Sequence, residues 1–541
     1  MGAECPKNEF MTLRRGSFSE SPDFPCEKYR KRLILCCDGT WNDSISTDSP
    51  LTNVSRITRC IPAVDDSGIP QIVLYYSGVG SGTSKAGKVI DGMTGRGISA
   101  IIRDAYTFIC HNHSGEQDEI ILIGFSRGAF AVRSVAAFIT EIGLLRKAGL
   151  NYLITLYKLW SRQRKMDVPP SEESFTDSAS RPSIELSHTS SSPPLRKEVS
   201  RSESLKSLQE RLCRKGLLQK DVRIKVCAVW DTVGSLGLPM PGPIPQKTSK
   251  KLCFVDSTLP KNIEFAIQAL ALNERRRHFQ PTIWQDNGVT ALKQCWFLGA
   301  HSNVGGGYKD TGLANLALVW FIAQLERYIC FDHAALLRMS SSHRTARERA
   351  AIKEFRTFRT RPAVSPPSSN LPSYEPPSSD NPGPEVTRMQ RVKGTIINSF
   401  RGPFMFGGSK RRKPGQYLMN TRGLYRNDTA DPTPTNEYIH WTVRMLYDKD
   451  PWHCQVLKDY PMSFDQFLRA SWTLHSKGVE TAIRLPEELP CKLERDLLVS
   501  WMREEMRVEE REREKNPGSV SSTNAETRPL FGILVPELEN L

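Results

Sequence analysis

Residues 119–132 read Glu-Ile-Ile-Leu-Ile-Gly-Phe-Ser-Arg-Gly-Ala-Phe-Ala-Val and combine three signals in a short space. The apolar run from Ile120 to Ile123 predicts a buried strand. It ends in Gly-Phe-Ser126-Arg-Gly, which fits G-x-S-x-G, and apolar residues at helical spacing follow at once. A strand, a sharp turn and a helix in this order predict a nucleophile elbow with Ser126 at its tip.

The glycines of this motif have a steric reason. Gly124 and Gly128 lack a Cβ, so the strand and the helix can approach closely. Ser126 would then lie at a helix N-terminus, where unpaired N–H groups favour developing negative charge. The N–H of Arg127 is a candidate oxyanion donor. The alternative interpretation is an ordinary small-residue turn with an inert serine.

Composition limits the classes of protein that this chain can belong to. Its 541 residues could hold two or three average domains, or one large α/β domain with insertions. The start of the chain is polar and has no signal-peptide pattern, and no run of about 18 apolar residues predicts a transmembrane helix. The 13 cysteines are scattered without a C-x-x-C pair, which favours reduced thiols in a cytoplasmic protein.

Strand and helix patterns alternate from residue 30 to residue 330. This alternation predicts an α/β fold, with a mostly parallel sheet covered by helices on both faces. Predicted strands cover 33–37, 71–76, 120–123, 222–230 and 294–300, and predicted helices cover 98–110, 152–160, 263–272 and 313–325. Polar motifs follow the strands, where open α/β sheets bind ligands.

The remaining segments differ in composition. Residues 1–29, the insertion 164–206 and the tail 516–541 are polar and predicted to be disordered or loose. A helix and a Pro- and Ser-rich linker are expected over 331–415. Residues 416–515 regain aromatic residues, and we expect a mostly helical region that packs on the core.

The predicted strand ends supply partners for Ser126. Asp231 follows the strand that ends at Trp230, and His301 follows the strand that ends at Ala300. The order Ser, acid, His is that of α/β-hydrolases, in which the histidine is the general base and the acid orients it. Asp310 is the alternative acid and His278 is the alternative base.

The second oxyanion donor is expected on the loop after an early strand. Residues 38–42 read Asp-Gly-Thr-Trp-Asn after the first predicted strand, so Gly39, Thr40 and Trp41 are the candidates. The alternative interpretation is an ordinary Asp-Gly turn. No cofactor or metal is required by this chemistry.

Five motifs together resemble the catalytic domain of type VI secretion phospholipase effectors. They are Asp-Gly-Thr-Trp-Asn at 38–42, Gly-Val-Gly at 78–80, Gly-Phe-Ser-Arg-Gly-Ala at 124–129, Trp-Asp-Thr-Val-Gly at 230–234 and His-Ser-Asn-Val-Gly-Gly-Gly-Tyr at 301–308. This α/β-hydrolase family was formerly a domain of unknown function and has many fungal members. The resemblance covers about 31–160 and 216–330, and it implies Ser126, Asp231 and His301 as nucleophile, acid and base, with a lipid or phospholipid ester as substrate.

The sequence has three alternative interpretations besides a serine esterase. Asp-Gly-Thr at 38–40 is similar to the signature of Asp-nucleophile phosphatases, but Cys36 stands where their nucleophile would be. The glycines at 78–82 lack the dinucleotide-binding spacing. A catalytically silent hydrolase scaffold that binds anionic surfaces is the main alternative.

The formal net charge of +15 indicates an anionic partner. The basic run Lys410–Lys413 is typical of an exposed nuclear-localisation or anionic-lipid contact. No zinc, helix-turn-helix or RNA-recognition motif supports nucleic acid as the partner. We therefore expect peripheral contact with an anionic membrane.

Overall fold

The computed structural model describes residues 30–39, 50–78, 96–166, 204–234, 257–340, 396–400, 408–417, 435–447, 456–465, 470–474 and 483–515. Several segments that the sequence predicts to be disordered or loose lie outside these ranges. They are residues 1–29, 167–203 of the insertion, 341–395 of the linker and 516–541.

A sheet of ten strands forms the centre of the described part, in the order β10-β11-β12-β9-β8-β7-β6-β3-β1-β2. The strands are β1 Arg32–Cys37, β2 Gln71–Tyr76, β3 Glu119–Phe125, β6 Ile224–Trp230, β7 Ile263–Ala271, β8 Ala291–Phe297, β9 Glu437–His440, β10 Met462–Phe464, β11 Ala470–Leu474 and β12 Ile483–Glu488. All neighbours from β12 through β2 pair in parallel, whereas β10 with β11 and β11 with β12 pair antiparallel. Two short strands, β4 Leu144–Leu145 and β5 Leu218–Gln219, form a separate pair.

Helices pack on both faces of this sheet, as the sequence predicts. They are α1 Asn53–Thr58, α2 Arg96–Asn112, α3 Arg127–Ile142, α4 Leu153–Met166, α5 Leu205–Arg214, α6 His301–Gly305, α7 Gly312–Leu325, α8 His333–Ser340, α9 Trp441–Tyr447 and α10 Lys492–Lys515. Residues of α2 to α5 share one apolar cluster with Leu33 and Leu35, whereas α1, α7 and α10 share another with Ile34 and Cys36. Alternate residues of one strand thus enter opposite cores, which explains why the central strands are apolar throughout.

One predicted helix is a strand. The sequence analysis expects a helix over Ile263–Leu272, but residues Ile263–Ala271 form β7, between β6 and β8. Alanine and leucine favour helices, yet intrinsic propensity is weak compared with tertiary context. Nearly every side chain of β7 is buried, because both faces of the sheet are covered.

The region after residue 416 contributes more to the sheet than the sequence predicts. It supplies helices α9 and α10, as expected, but also strands β9 to β12. Strand β9 pairs in parallel with β8, with Cys295 opposite Tyr438. This region therefore extends the central sheet, and α10 also packs against α7.

Two properties of the described residues bear on earlier expectations. Every cysteine in these ranges is a free thiol. None of the helices in the described ranges has both the length and the hydrophobicity that a bilayer-spanning helix needs.

Candidate active site

Ser126 lies at a strained turn between β3 and α3. Its backbone has φ 57° and ψ −120°, a conformation that non-glycine residues rarely adopt. Such strain costs about 1–3 kcal/mol and is concentrated at functional sites. The Ser126 N–H donates to the Trp230 carbonyl at 3.0 Å, which ties the turn to the end of β6. The structure thus has the strand, turn and helix that the G-x-S-x-G motif predicts.

Close packing fixes this turn against β1. A Cβ built on Gly128 would lie 2.2 Å from the Cys37 carbonyl oxygen and 2.5 Å from that of Asp38. These are backbone atoms that cannot move aside, so only glycine fits at position 128. The first turn of α3 consequently lies directly beside the loop that follows β1.

The oxyanion candidates are only partly described. Arg127 is the first residue of α3, so its N–H is among the helix N–H groups that have no intrahelical acceptor. Gly39 donates its N–H to the Asp38 carboxylate at 2.7 Å and is therefore engaged. Thr40 and Trp41 lie outside the described residues.

Asp38 organises the start of this loop. Its carboxylate is buried and also accepts hydrogen bonds from the hydroxyls of Thr52, at 2.6 Å, and Tyr75, at 2.7 Å. Thr52 in turn pairs with Gly306 in an antiparallel bridge. Asp38 and the glycines Gly305–Gly307 are thereby brought to the same edge of the sheet.

His301 and Asp231 form the central contact of the site. Nδ1 of His301 lies 2.5 Å from Oδ2 of Asp231, and both side chains are buried. Asp231 follows the end of β6, next to Trp230, and Phe125 lies opposite Trp230 in the register of β3 and β6. The predicted acid and base are therefore in direct contact, beside the turn that carries Ser126.

Aromatic rings hold the imidazole in place. The ring centroid of Phe125, which immediately precedes Ser126, lies 4.7 Å from that of His301. Phe279 contacts the same ring edge-on at 5.1 Å. A Cβ on Gly305 would lie 2.0 Å from the Phe125 ring, so this glycine leaves the space that the Phe125 ring occupies beside His301.

The alternative acid and base have different surroundings. Oδ1 of Asp310 accepts the N–H of Gly312 at 3.1 Å, near the start of α7. His278 lies in a 3-10 turn, Arg277–Phe279, and is partly exposed. The described ion pair of His301 is with Asp231.

Arg412 is a site residue that the sequence analysis missed. Lys410, Arg411 and Lys413 are exposed, as expected for a basic run, but Arg412 is only 2% exposed. Its guanidinium forms a two-pronged ion pair with Asp231, at 2.5 Å to Oδ1 and 2.9 Å to Oδ2. Nothing in the sequence around Arg412 distinguishes it from its exposed neighbours.

These contacts set the charges of the pair. Burial by itself would raise the pKa of Asp231, but the charges and hydrogen bonds of Arg412 and His301 outweigh it and hold the pKa well below its usual range. Burial lowers the pKa of His301, and Asp231 offsets only part of this effect. At neutral pH the pair is consequently an ionised carboxylate beside a neutral imidazole.

A second buried carboxylate supports the histidine from its backbone side. Glu274 accepts the His301 N–H at 3.2 Å and the Ser399 hydroxyl at 2.7 Å. Burial would raise the pKa of Glu274, but the hydrogen bonds and charge of Arg276 lower it to about 2. Within the described ranges, no group of three His, Cys, Asp or Glu side chains is arranged to hold a metal ion.

A family model matches the part of the chain that contains Ser126, Asp231 and His301. The model of the T6SS phospholipase effector Tle1-like catalytic domain matches residues 31–324, more than half of the chain. The chain belongs to this family. The matched residues of this Tle1-like chain include Ser126, Asp231 and His301, whereas Arg412 lies beyond the matched range.

Individual relatives of this Tle1-like chain are distant. The uncharacterized protein YEL023C of Saccharomyces cerevisiae is 30% identical over 163 residues, which are 27% of this chain and 22% of the yeast protein. The chain therefore spans about a fifth of the length of that relative.

Two solved structures are also similar in part. One is an uncharacterized protein from Pseudomonas aeruginosa, with 15% identity and a TM-score of 0.29, over 55% of this chain and 45% of the other. The second is the Tle1 effector bound to the VgrG spike of the type VI secretion system, with 16% identity and a TM-score of 0.26, over 52% of each chain. The chain thus spans about half of each.

Proposed function

We propose that this protein is a serine hydrolase that cleaves carboxylic esters of lipids or phospholipids. The observation that carries the proposal is the 2.5 Å contact between His301 Nδ1 and Asp231 Oδ2, beside the strained turn at Ser126. A histidine oriented by a buried carboxylate, next to a serine at a helix N-terminus, is the arrangement that activates serine nucleophiles.

The first half of the reaction forms an acyl-enzyme. With Nδ1 bonded to Asp231, Nε2 of His301 is the ring nitrogen left to accept the Ser126 proton as Oγ attacks the ester carbonyl. The resulting imidazolium is stabilised by the ionised Asp231. The N–H of Arg127 stabilises the oxyanion, and Nε2 then gives its proton to the departing alcohol.

The second half of the reaction releases the acyl group. Water takes the place of the alcohol, and His301 accepts a proton from it as the water oxygen attacks the acyl carbonyl. Collapse of the second oxyanion breaks the bond to Ser126 Oγ, which recovers its proton from His301. The net reaction consumes one water and yields a carboxylic acid and an alcohol.

The substrate class follows from family membership together with the site. The matched family is one of phospholipase effectors, and phospholipids contain carboxylic esters that this chemistry can cleave. Ser126 is 5% exposed and His301 is 4% exposed, so the ester must enter a site from which bulk water is largely excluded. Such a site strengthens the electrostatic interactions that stabilise an oxyanion.

Fluorophosphonate labelling tests this proposal. We expect a fluorophosphonate probe to label wild-type protein at Ser126 and not to label Ser126→Ala. The matched control is Ser134→Ala, which removes a buried hydroxyl from α3, the helix that follows Ser126; this hydroxyl donates to the Phe130 carbonyl at 2.9 Å. This control should label at the wild-type rate.

The second readout is hydrolysis of short-chain esters and phospholipid vesicles by the same three proteins. Folded wild-type protein that neither labels nor hydrolyses would contradict the proposal, and the silent scaffold would then be favoured. Labelling that persists in Ser126→Ala would assign the nucleophile elsewhere.

We also propose that the exposed cations contact an anionic membrane surface. Lys410, Arg411 and Lys413 are exposed beside the site, and the chain carries a net charge of +15. Each basic residue near an anionic membrane contributes about 1 kcal/mol. Sedimentation with anionic vesicles should therefore decrease in Lys410→Met/Lys413→Met and at high salt. Equal sedimentation with neutral vesicles would contradict this contact.

The cytoplasmic location expected from the scattered cysteines stays a prediction. Fluorescence imaging of the tagged chain in cells, with and without the two lysine substitutions, would test it. Peripheral membrane signal that depends on the lysines is the expected result.

A further inference from the structure

Arg412 is held rigidly against the candidate acid. Beyond the two ion-pair contacts with Asp231, its Nη1 donates to the Ala271 carbonyl at 2.8 Å and its Nη2 to the Phe279 carbonyl at 2.6 Å. The side chain is fully buried. Two hydrogen bonds to backbone carbonyls and two to Asp231 therefore fix the plane of the guanidinium. The Asp231 carboxylate is held in a fixed orientation by the same group.

The ion pair with Arg412 determines the orientation of the Asp231 carboxylate toward His301. Oδ2 of Asp231 accepts hydrogen bonds from Arg412 Nη2 and from Nδ1 of His301. Oδ1 accepts hydrogen bonds from Arg412 Nη1 and, at 3.1 Å, from the Ala271 N–H. Removal of Arg412 would leave one backbone donor and the histidine to orient the carboxylate. The planar fork of arginine matches both oxygens at once, which a lysine cannot do.

Arg412 also compensates the charge of Asp231. An ionised carboxylate in a dry interior is costly unless an opposite charge accompanies it. His301 supplies such a charge only when it is protonated, which is the form that cannot act as a base. Arg412 supplies it at all times and so permits an ionised Asp231 beside a neutral His301.

A short segment delivers this arginine from a distant part of the chain. Lys410 donates its N–H to the Arg275 carbonyl at 2.9 Å, and Arg277 donates its N–H to the Gly408 carbonyl at 3.0 Å. On the other side, the Gly415 N–H donates to the Glu437 carboxylate of β9 at 2.8 Å. The segment 408–417 is thus held between the loop after β7 and the strand that extends the sheet.

We infer that Arg412 is a positioning residue for the hydrolase site, and that the chain beyond the matched domain completes this site. Arg412 holds the Asp231 carboxylate in the orientation that keeps the His301 imidazole aligned with Ser126. This inference rests on the proposed function, because it assigns a role within the same triad. The matched range 31–324 lacks the required side chain.

Labelling kinetics of the full-length protein test the inference. The variants are Arg412→Lys, which keeps the charge but loses the fork, and Arg412→Ala, which loses both. Arg223→Lys and Arg223→Ala are the matched controls, since they make the same two changes at an exposed arginine just before β6. The rate of fluorophosphonate labelling at Ser126 is measured against pH and normalised to the folded fraction from circular dichroism.

The two variants should differ both in the labelling rate and in the pH midpoint of labelling. Misplacement of a catalytic group by about 1 Å can cost on the order of 100-fold in rate, so Arg412→Lys should label about 10- to 100-fold slower with an unchanged pH midpoint. Arg412→Ala should be slower still, with a higher midpoint, because loss of a positive charge raises the proton affinity of the His301–Asp231 pair. The other charged groups that face His301 are Glu274 and Arg276, which stay in place.

Chemical rescue separates positioning from folding. Guanidinium at low, non-denaturing concentration should accelerate labelling of Arg412→Ala and leave the wild type and both Arg223 controls unchanged. Wild-type labelling rates in folded Arg412→Lys, or losses that only follow the folded fraction, would overturn the inference and assign a structural ion pair. Wild-type protein that never labels would instead reject the proposed function itself.

Discussion

The sheet carries two buried histidine–carboxylate pairs, and they differ in what remains available for chemistry. His301 follows β8 and bonds Asp231 through Nδ1. His440 ends β9, the neighbouring strand, and its Nε2 lies 3.0 Å from Glu494 of α10. Both histidines lie at the carboxyl ends of parallel strands, where such sheets place their ligand sites.

The ring nitrogens explain the difference. His440 also engages Nδ1, with the Thr442 hydroxyl at 2.7 Å, so both of its nitrogens have protein partners. Its ring is fully buried and stacks on Phe297 at 4.3 Å. A buried histidine and acid therefore do not by themselves indicate catalysis. The second ring nitrogen must be left for a substrate or a nucleophile.

The largest expected contrast comes from replacing each histidine by glutamine. His301→Gln removes the proposed base and should lower kcat for ester hydrolysis by about 10⁴-fold or more. His440→Gln should retain activity per folded molecule and lose about 1–3 kcal/mol of unfolding free energy, because buried partners lose hydrogen bonds. Hydrolysis rates and urea unfolding of both variants measure this contrast. A comparable loss of kcat in His440→Gln would show that His440 is also needed for catalysis and would contradict the difference between the two histidines.

Substitution of the two candidate acids, Asp231 and Asp310, should also lower kcat to very different extents. Asp231→Asn disturbs both the imidazole and Arg412, and we expect a loss of about 10³–10⁴-fold in kcat. Asp310→Asn is the matched control at the alternative acid, with an expected change below about tenfold. Steady-state kinetics of the two variants distinguish them, and severe loss confined to Asp310→Asn would reverse the assignment.

The pH dependence of labelling should also come from His301 and not from His440. Burial lowers the pKa of His301 below its ordinary value of about 6.5, and only the neutral imidazole can accept the serine proton. Labelling should therefore increase with pH and reach half its maximum below about pH 6.5. His440→Gln should leave this midpoint unchanged, since a different histidine titrates. A midpoint above pH 6.5 in the wild type would contradict the assigned charge state.

The smallest effect is expected at Thr442. Thr442→Val keeps the side-chain shape but removes the hydroxyl that bonds His440 Nδ1. We expect a loss of about 1 kcal/mol in unfolding free energy and no change in labelling rate. Urea unfolding and labelling of the same sample provide both numbers. A labelling defect here would show that the two histidine sites are coupled.

The elbow was predictable because its information is local. The apolar strand, the glycines and the helical spacing around Ser126 all lie within residues 119–142, and the structure has each element where the sequence predicts it. Asp231 and His301 were predictable as the polar residues after strand ends. The parallel order of β3, β6, β7 and β8 brings the ends of their strands, and with them these two residues, to one edge of the sheet.

The features that the sequence did not reveal are non-local. β7 contains helix-favouring residues, and only its position between two strands makes it a strand. Arg412 lies in a run of four cations, and its burial depends on Asp231, 181 positions away in the chain. Composition correctly predicts exposure for Lys410, Arg411 and Lys413. It fails for Arg412, whose counter-charge, Asp231, is buried.

The pairing of β9 with β8 has a consequence for the order in which the protein can fold. During synthesis, β8 emerges long before its partner, since Phe297 and Glu437 belong to strands that are distant in the chain. Ribosomes add about 5–20 residues per second, so the edge of β8 stays open for on the order of 10 s. An open parallel edge invites association with other chains. Until β9 arrives and covers this edge, the nascent chain is therefore exposed to association with other chains at β8.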